Sequence, residues 1–297
     1  RKLKFYMMKK KLLFNAKKTD DFLKKFFRLQ KQTNLIKPMK YGILSGGKKV
    51  RSSVIMNAGK LFNLNKNKLL HVCGAVECIH SYSLIHDDLP CMDDDKVRRG
   101  KPSTHIKFGE STAVLAGNSL LTMAFEMITD KNFKIEKSCK IELVNKLALS
   151  SGHSGIAGGQ YLDLSFEKKK KKFNQILDMQ KKKTGKLFSF CCFAAGAIAK
   201  RSLKEKNELS TLGEEIGLLF QLSDDFIDVR GSKKLAGKPT NKDKKKGKST
   251  LIRLIGIDKT YSFSIRLKKN ILKKLFKYGR KADDLRNTVE FILGRNF

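Results

Sequence analysis

The stretch HSYSLIHDDLPCMDDDKVRRG, from His80 to Gly100, decides how the rest of the chain is interpreted. It carries a cluster of five aspartates, although Lys and Arg together number 64 in this chain and Asp and Glu only 28. The five are Asp87, Asp88, Asp93, Asp94 and Asp95. The apolar run before them predicts a buried helix. Pro90 predicts its end, because the residue before a proline is pushed out of the helical region.

Two of these carboxylates, Asp87 and Asp88, fall at the predicted C-terminus of that helix, where the helix dipole is already negative. A carboxylate there is disfavoured by about 0.3–1 kcal/mol unless a cation joins it. Mg²⁺ binds through one or two carboxylates together with substrate phosphates. Basic residues follow directly, at Lys96, Arg98 and Arg99, and they suit phosphate binding. We therefore predict a site for magnesium and a diphosphate; a solvated acidic loop is the alternative.

A second acidic cluster, in the segment FQLSDDFIDV at 220–229, favours the metal site over the loop. Asp224 and Asp228 are four residues apart and share one helix face, with Gln221 one turn earlier. Asp225 points about 100° away and is the weaker ligand candidate. Two such motifs, each on an apolar helix, are expected to face one another across a helical bundle and to hold several metal ions.

The formal net charge of +36 raises nucleic acid or an anionic membrane as a partner. The surplus is mostly lysine, spread along the chain in runs such as 168–172. Aromatic residues are not interleaved with those runs as in a single-strand binding groove. We interpret the surplus as biased composition on solvated faces and expect no specific nucleic-acid partner.

The cysteine pattern and the hydropathy restrict the compartment. Six cysteines show neither a CxxC pair nor zinc-ligand spacing, which favours free thiols in a reducing environment. No run of 18 uncharged apolar residues exists, so we predict no transmembrane segment. Residues 1–15 are basic and apolar, without the apolar core and cleavage site of a signal peptide; a transit peptide is the alternative. We expect a cytoplasmic protein.

The remaining patterns are helical. We predict helices at residues 19–32, 109–127 and 173–199. GGKKVR at 46–51 precedes another apolar helix, and it is either an anion site or a glycine turn with exposed lysines. Gly185 lies within a predicted helix; it is either tolerated or marks a kink or a close ligand approach. Without a strand pattern, a repeat or a linker, one all-α domain is the simplest prediction.

Taken together, these motifs resemble the trans-isoprenyl diphosphate synthase family, and within it the bacterial farnesyl diphosphate synthases. The resemblance rests on GGKKVR at 46–51, ECIHSYSLIHDDLPCMDDDKVRRGKPSTH at 77–105, KTG at 183–185, FQLSDDFIDV at 220–229 and GKST at 247–250. It implies a single polyprenyl synthase domain over 1–297. This domain is an all-α bundle of long helices around a central cavity, the isoprenoid synthase fold, with segment 1–15 a candidate for disorder.

The resemblance also implies a prenyltransferase of isoprenoid biosynthesis that acts as a homodimer with three Mg²⁺ ions per active site. Its direct metal ligands correspond to Asp87, Asp93 and Asp224, with Asp88 and Asp228 as supporting carboxylates. Its catalytic set corresponds to Asp87, Asp88, Asp93, Arg98, Lys183 and Asp224. In the family the released diphosphate accepts the final proton, so no histidine base is needed; we expect His86 to brace its helix.

The substrates implied are isopentenyl diphosphate and an allylic diphosphate. The residues that hold the allylic diphosphate correspond to Arg98, Lys183, Lys238 and Lys248. Those that bind isopentenyl diphosphate correspond to Gly47, Lys48, Arg51, His80 and Arg99. Thr184 and Gln221 would present dipoles to the developing carbocation. The chain departs from the family at Lys49 and Ser52, where arginine and proline are common, and we expect the charge of Lys49 to limit the loss of affinity. Arg295 is the candidate closing cation of the tail.

Product length is predicted from Tyr82 and Ser83. Tyr82 lies five residues before Asp87, about 7.5 Å deeper along the same helix at 1.5 Å per residue. In the family, an aromatic residue there and a two-residue insertion at 89–92 accompany a C15 product, farnesyl diphosphate. A geranylgeranyl or geranyl diphosphate synthase is the alternative, and a non-catalytic protein that has kept the fold is the third reading.

Overall fold

The computed structural model describes the backbone of residues 2–234 and 248–294, and the side chains of residues 6–229 and 248–294. Helices account for most of it. In chain order they begin with α1 (Lys2–Leu29), α2 (Ile36–Leu44), α3 (Val50–Lys60), a 3₁₀ turn (Lys66–Leu69), α4 (Leu70–Asp87), α5 (Thr104–Phe108), α6 (Glu110–Thr129) and α7 (Lys137–Ser151). They continue with α8 (Ile156–Ser165), α9 (Phe173–Gln180), a π-turn (Lys181–Gly185), α10 (Lys186–Ile198), α11 (Leu203–Lys234), α12 (Leu251–Ile255), α13 (Ile257–Leu275), a 3₁₀ segment (Phe276–Ala282) and α14 (Asp283–Gly294). The all-α prediction is confirmed.

One short hairpin departs from the prediction that the chain has no strands. Val97–Arg98 pairs antiparallel with Lys101–Pro102, with Val97 opposite Pro102. Its two-residue loop is Arg99–Gly100, and both residues have positive φ, 53° and 75°. Two central residues with positive φ are typical of the tight turns that match strand twist. Each strand has only two residues, too few to produce the alternation of apolar and polar residues that predicts a strand.

The chain divides into two compact units, Arg1–Asn145 with Ala197–Ala199, and Lys146–Gly196 with Lys200–Phe297. Each is described by itself below. The expectation of one domain over the whole chain stays a prediction.

In the first unit, α4 is the central helix and packs against α1, α2, α3 and above all α6. Its residues from Val72 to Ile79 are all buried. A helix that is apolar on every side is stable only when neighbours cover it on every side. Gly74 allows one such neighbour to approach, because a Cβ there would lie 2.8 Å from the sulfur of Met127.

The N-terminal helix is longer than predicted. It begins at Lys2, so the helix predicted at 19–32 extends back into the basic N-terminal segment. Its inner face supplies the reason: Met8, Leu12 and Ala16 are buried at helical spacing and extend the buried face that continues at Leu23. Tertiary packing therefore stabilises a segment whose lysines obscure the pattern.

In the second unit, glycines let α10 and α11 pack closely. A Cβ on Gly213 would lie 2.3 Å from the carbonyl oxygen of Phe188, and one on Gly217 would lie 2.8 Å from the Cα of Gly185. Gly185 closes the π-turn, and such turns replace regular helix where the local hydrogen bonding shifts. The departure from regular helix that the sequence allows at Gly185 is thus present. The group that approaches Gly185 closely in the structure is helix α11.

Among the described residues, α6 alone has the length and apolar character of a membrane-spanning helix, and 44% of its most apolar window is buried. Ala113, Ala116, Leu120 and Ala124 form its buried face, as in a core helix. All six cysteines are free thiols, as predicted, and Cys73, Cys78, Cys191 and Cys192 are buried.

Candidate active site

The first aspartate motif folds back over the end of α4. The backbone N–H of Asp93 donates to the carbonyl of Asp87 at 2.8 Å, and that of Asp95 donates to the carbonyl of Asp88 at 3.1 Å. The last carbonyls of a helix lack partners within the helix, and this loop supplies them. The fold-back brings Asp93 next to Asp87, and both residues remain partly accessible. Two predicted metal ligands are therefore adjacent.

Asp88, the second aspartate of the motif, is paired with Arg98. It is 2% exposed, and Nε of Arg98 lies 3.0 and 3.2 Å from its two carboxylate oxygens. Nη2 of Arg98 also donates to it. Burial raises the pKa of Asp88, and the Arg98 charge partly offsets that effect. Because both oxygens accept from Arg98, Asp88 positions this arginine, and its predicted role as a supporting metal carboxylate stays a prediction.

The glycine turn before α3 contacts the tight hairpin. Gly46 and Gly47 both have positive φ, 94° and 107°. Nη1 of Arg99 donates to the carbonyl of Gly46. At a φ of 107° any residue with a side chain would be strained, so glycine is favoured at position 47, and its missing side chain leaves room for the Arg99 guanidinium. Two of the residues predicted to bind isopentenyl diphosphate are thereby brought together, and Lys48 beside them is exposed.

His80 lies in the field of several cations. Burial lowers its pKa well below the usual value, and the charges of Arg51, Arg99, Lys49 and Arg98 lower it further. The imidazole is therefore neutral at pH 7. His80, Arg51 and Arg99, predicted to bind the same diphosphate, share one positive region.

Lys49 points into the first unit. Its ammonium donates to the carbonyl of Ile43 at 2.9 Å and lies 3.3 Å from Asp20 and 4.0 Å from Glu77. At 6% exposure its charge is neutralised internally, and the expected modest loss of substrate affinity stays a prediction.

Ser52 completes this network through a group that proline lacks. Its backbone N–H lies 3.3 Å and its hydroxyl 2.8 Å from the same carboxylate oxygen of Glu77. The two departures from the family, Lys49 and Ser52, thus contact one buried carboxylate. Glu77 was not predicted, and its only sequence signal is a lone acid within an apolar run.

In the second unit, one buried carboxylate holds two of the predicted phosphate-binding lysines. Nζ of Lys183 lies 2.6 Å and Nζ of Lys248 3.5 Å from the same oxygen of Asp163. Burial raises the pKa of Asp163, but the two lysine charges outweigh burial, and the net pKa lies below its ordinary value. Asp163 was missed. It lies in the segment GGQYLDL, and its separation from Lys183 along the chain matches no motif that would predict their contact.

A chain of hydrogen bonds fixes Thr184 and Gln221. The hydroxyl of Thr184 donates to Oε1 of Gln221 at 2.7 Å, and Nε2 of Gln221 donates to Asp225 at 2.9 Å. Nε2 of Gln180 donates to the other oxygen of Asp225 at 2.8 Å. Asp225 is buried and holds these amides, which agrees with its low ranking as a metal ligand. The sequence predicts Gln221 on the same helix face as Asp224; in the structure its side-chain amide donates to Asp225.

The other two aspartates of this motif keep an accessible face. Asp224 and Asp228 are partly exposed, whereas Leu222 and Phe226 on the opposite side are buried. The apolar side of α11 therefore directs these two carboxylates outward. Lys238 and Arg295 lie outside the described residues, so their predicted roles stay predictions.

Tyr82 is braced through His86. The two rings meet edge to face with centroids 5.7 Å apart, and Nε2 of His86 donates to the carbonyl of Val114 on α6 at 3.1 Å. A Cβ on Gly117 would lie 2.2 Å from Nε2, so this glycine makes room for the imidazole. The prediction that His86 braces its helix is confirmed. The hydroxyl of Ser83 donates to the carbonyl of His80 at 2.9 Å, within its own helix.

No group of three or more Asp, Glu, His or Cys side chains is arranged as a ready-made metal site within the described parts of the chain. Mg²⁺ does not require one, because it keeps several waters and uses one or two carboxylates together with substrate phosphates. The pairs Asp87 with Asp93, and Asp224 with Asp228, offer the hard oxygen donors that this ion prefers. The donor set therefore fits magnesium.

A family model described as polyprenyl synthetase matches residues 32–290. The chain belongs to this family. It is similar to farnesyl diphosphate synthase of Escherichia coli strain K12, with 37% identity over 272 residues that cover 89% of this chain and 90% of the relative. It is also similar to geranylgeranyl pyrophosphate synthase 4 of Arabidopsis thaliana, with 38% identity over 89% of this chain and 71% of the relative.

A solved structure of Helicobacter pylori geranyltransferase, complexed with magnesium and isoprenyl diphosphate, has the same fold as this polyprenyl synthetase. The TM-score is 0.78 at 28% identity, over 96% of this chain and 97% of that one. These findings confirm the family, the isoprenoid synthase fold and the assignment as a prenyltransferase.

Replacing Asp163 tests the pairing in the second unit. Asp163→Asn should lower the free energy of unfolding by about 1–3 kcal/mol, because two lysines lose the buried carboxylate that neutralises them. Urea denaturation at pH 7 measures this difference. It should shrink as the pH falls below about 3.9, because the pKa of Asp163 is lower in the folded protein than in the unfolded chain.

The matched control for this prediction is Asp258→Asn, which removes the same charge from an exposed position. It should change stability by less than about 0.5 kcal/mol. Equal effects of the two substitutions would contradict the assigned role of Asp163.

Proposed function

We propose that this enzyme condenses isopentenyl diphosphate with dimethylallyl and then geranyl diphosphate, head to tail, to give farnesyl diphosphate in a magnesium-dependent reaction. The observation that carries the proposal is the folded-back first motif, in which Asp93 adjoins Asp87 while Asp88 holds Arg98. This arrangement presents metal ligands and a fixed phosphate-binding cation on one loop. The similarity to farnesyl diphosphate synthases over most of the chain supports it.

We assign the magnesium ligands to Asp87 and Asp93 in the first unit and to Asp224 and Asp228 in the second. When bound, magnesium would offset the negative charge of the allylic diphosphate as its carbon–oxygen bond breaks. Three ions per site are part of the proposal. The bound magnesium in the Helicobacter pylori relative supports the choice of ion.

The allylic diphosphate is assigned to Lys183 and Lys248, together with Arg98 and, beyond the described residues, Lys238. Asp163 holds the two lysines and Asp88 holds Arg98, so these cations are already oriented before substrate binds. Charge that develops on a leaving group is stabilised most by groups that need no reorganisation. The buried carboxylates therefore serve catalysis by positioning the cations.

Isopentenyl diphosphate is assigned to the positive region of the first unit, which contains Arg51, His80 and Arg99 beside Gly47 and Lys48. Because the His80 imidazole is neutral, it adds a hydrogen bond there without a further charge. The glycine turn keeps the Arg99 guanidinium in place. A diphosphate bound here would gain from several cations held at fixed positions.

Thr184 and Gln221 are assigned to the developing carbocation. The Thr184 proton is directed at Gln221, which leaves the lone pairs of the hydroxyl oxygen available to a cation. Asp225 and Gln180 fix the orientation of this pair. The double bond of isopentenyl diphosphate then attacks the cation, and the released diphosphate accepts the proton that is lost. His86 is not needed as a base, because it is engaged with Val114.

The proposed reaction is tested with the purified chain, isopentenyl diphosphate and dimethylallyl diphosphate. We expect C15 diphosphate with Mg²⁺ and no product after chelation by EDTA. Asp93→Asn should lower kcat at least a hundredfold, because a ligand that stabilises the transition state is lost. Its neighbour Asp94 is exposed, so Asp94→Asn is the matched control and should keep activity within about threefold. Absence of any product over a range of magnesium concentrations would refute the proposal.

Product length is assigned to Tyr82, whose ring is held by His86. Tyr82→Ala should extend the product beyond C15, because the ring that limits the growing chain is removed. Chromatographic sizing of the dephosphorylated products measures it. The control is Tyr161→Ala, at a tyrosine that is 71% exposed. An unchanged C15 product in Tyr82→Ala would remove Tyr82 from this role, and a C20 or C10 product of the unaltered enzyme would favour the alternative synthases.

We also propose that the enzyme is a homodimer and acts in the cytoplasm. The uncovered face of α6 supports the dimer, because Val114 and Leu115 are exposed and Leu121 and Phe125 are only partly buried. Contiguous exposed apolar side chains on a core helix mark a binding surface. A two-fold dimer would cover the same face on both subunits.

Leu115→Lys should convert the dimer into monomers, because it places a charge in the apolar interface. Sedimentation equilibrium gives the mass in solution. Leu29→Lys, at a leucine that is 71% exposed in the same unit, is the control and should leave the dimer intact. A monomeric unaltered protein, or a dimer that tolerates Leu115→Lys, would contradict this interface.

A further inference from the structure

The outer face of α1 over residues 6–18 combines large apolar side chains with lysines. Tyr6, Met7, Leu13 and Phe14 are each more than half exposed, at 53%, 55%, 53% and 53%. Five lysines lie in the same segment, and they are Lys9, Lys10, Lys11, Lys17 and Lys18. In sequence the first acidic residue of the chain is Asp20. This face, the α1 outer face, is therefore both apolar and strongly positive.

The inner face of the same segment is firmly attached. Met8, Leu12 and Ala16 are buried, at 4%, 1% and 5% exposure. The buried Asn15 accepts a hydrogen bond from Nζ of Lys66 at 2.9 Å. The exposed apolar side chains consequently belong to a packed helix and not to a frayed end. Exposure of such side chains is unfavourable in water unless another surface covers them.

Lysine and apolar side chains alternate on this face. The ammonium of Lys10 lies 4.7 Å from the ring centre of Tyr6. The ammoniums of Lys18 and Lys66 lie 5.4 and 5.1 Å from the ring centre of Phe14. Long lysine side chains lie along apolar surface while their charged ends reach the polar boundary. A helix of this composition is typical of proteins that lie in the plane of a membrane surface.

Other partners fit the α1 outer face less well. A second copy would set lysines against lysines across a two-fold axis, which is repulsive. Single-stranded nucleic acid binds through stacking on aromatic rings, and Met7 and Leu13 offer none. An anionic bilayer satisfies both features, since its phosphates attract the lysines and its headgroup boundary accepts the apolar side chains.

We propose that the α1 outer face binds the surface of membranes that contain anionic lipids. The helix lies in the membrane plane, with Tyr6, Met7, Leu13 and Phe14 in the headgroup boundary. The lysines of residues 6–18 contact lipid phosphates. The proposal does not depend on the proposed reaction, because none of these residues belongs to the candidate active site.

Co-sedimentation of the full chain with vesicles tests it. At about 0.15 M salt, we expect binding to phosphatidylcholine vesicles with about 30% phosphatidylserine and none to pure phosphatidylcholine. The triple variant Tyr6→Ser, Leu13→Ser, Phe14→Ser should bind at least tenfold more weakly. The matched control replaces three exposed apolar residues elsewhere, Leu29→Ser, Leu203→Ser and Phe276→Ser, and should bind within about twofold of the unaltered chain.

A second pair of variants separates the α1 outer face from the general surplus of positive charge. Lys9→Gln, Lys10→Gln, Lys17→Gln should weaken binding at least tenfold, whereas Lys168→Gln, Lys169→Gln, Lys170→Gln removes equal charge from exposed positions and should not. Equal losses in the two, or no binding to anionic vesicles, would overturn the proposal. Binding of a single-stranded oligonucleotide that requires Tyr6 and Phe14, without vesicle binding, would also overturn it.

Two readouts keep this test independent of folding and of the reaction. Thermal unfolding followed by circular dichroism should be the same for all variants, because the replaced side chains are exposed. Prenyl transfer without vesicles should also be unchanged. An inactive but vesicle-binding chain would refute the proposed function alone, and an active chain that does not bind anionic vesicles would refute the membrane proposal alone.

Discussion

Buried carboxylates hold the cations on which the candidate active site depends. Asp88 holds Arg98, and Asp163 holds Lys183 and Lys248. A buried charge is tolerated only when it is paired and hydrogen-bonded, so each acid fixes the position of its partner. With 64 basic residues against 28 acidic ones, the chain repels itself at many points. The few acids placed inside each unit keep cations close together where a diphosphate needs them.

Helix packing determines where those carboxylates lie. In the first unit, α4 is covered on every side, and its end is closed by the backbone of the aspartate motif. In the second unit, Gly213 and Gly217 let α11 approach α10 at the level of the π-turn. Thr184 in that turn thereby reaches Gln221. Close helix contacts, rather than flexible loops, therefore orient the polar groups, and a substrate would meet them already in place.

The positive charge of the chain has more than one physical role. Inside the units, cations are paired with buried acids and oriented. On the α1 outer face, lysines alternate with exposed Tyr6 and Phe14, a pattern that the run at 168–172 lacks. The net charge of +36 counts every cation equally. Composition alone therefore cannot distinguish cations paired inside a unit from lysines on the α1 outer face. The interpretation of the surplus as compositional bias stays a prediction for the scattered lysines, and it does not take account of the amphipathic helix that begins at Lys2.

The sequence by itself determined the helical class, the end of α4 before Pro90 and both aspartate motifs, whereas the candidate phosphate-binding residues followed from its resemblance to the family. These are local signals, carried by apolar spacing, by proline and by short motifs. Tertiary structure decided which acid meets which cation. Asp88 pairs with Arg98, Lys49 is turned into the interior, and Asp163 joins the two lysines. Such pairs form between residues far apart in the chain, and no periodicity records them. Burial decides their energy, and burial exists only once the helices have packed.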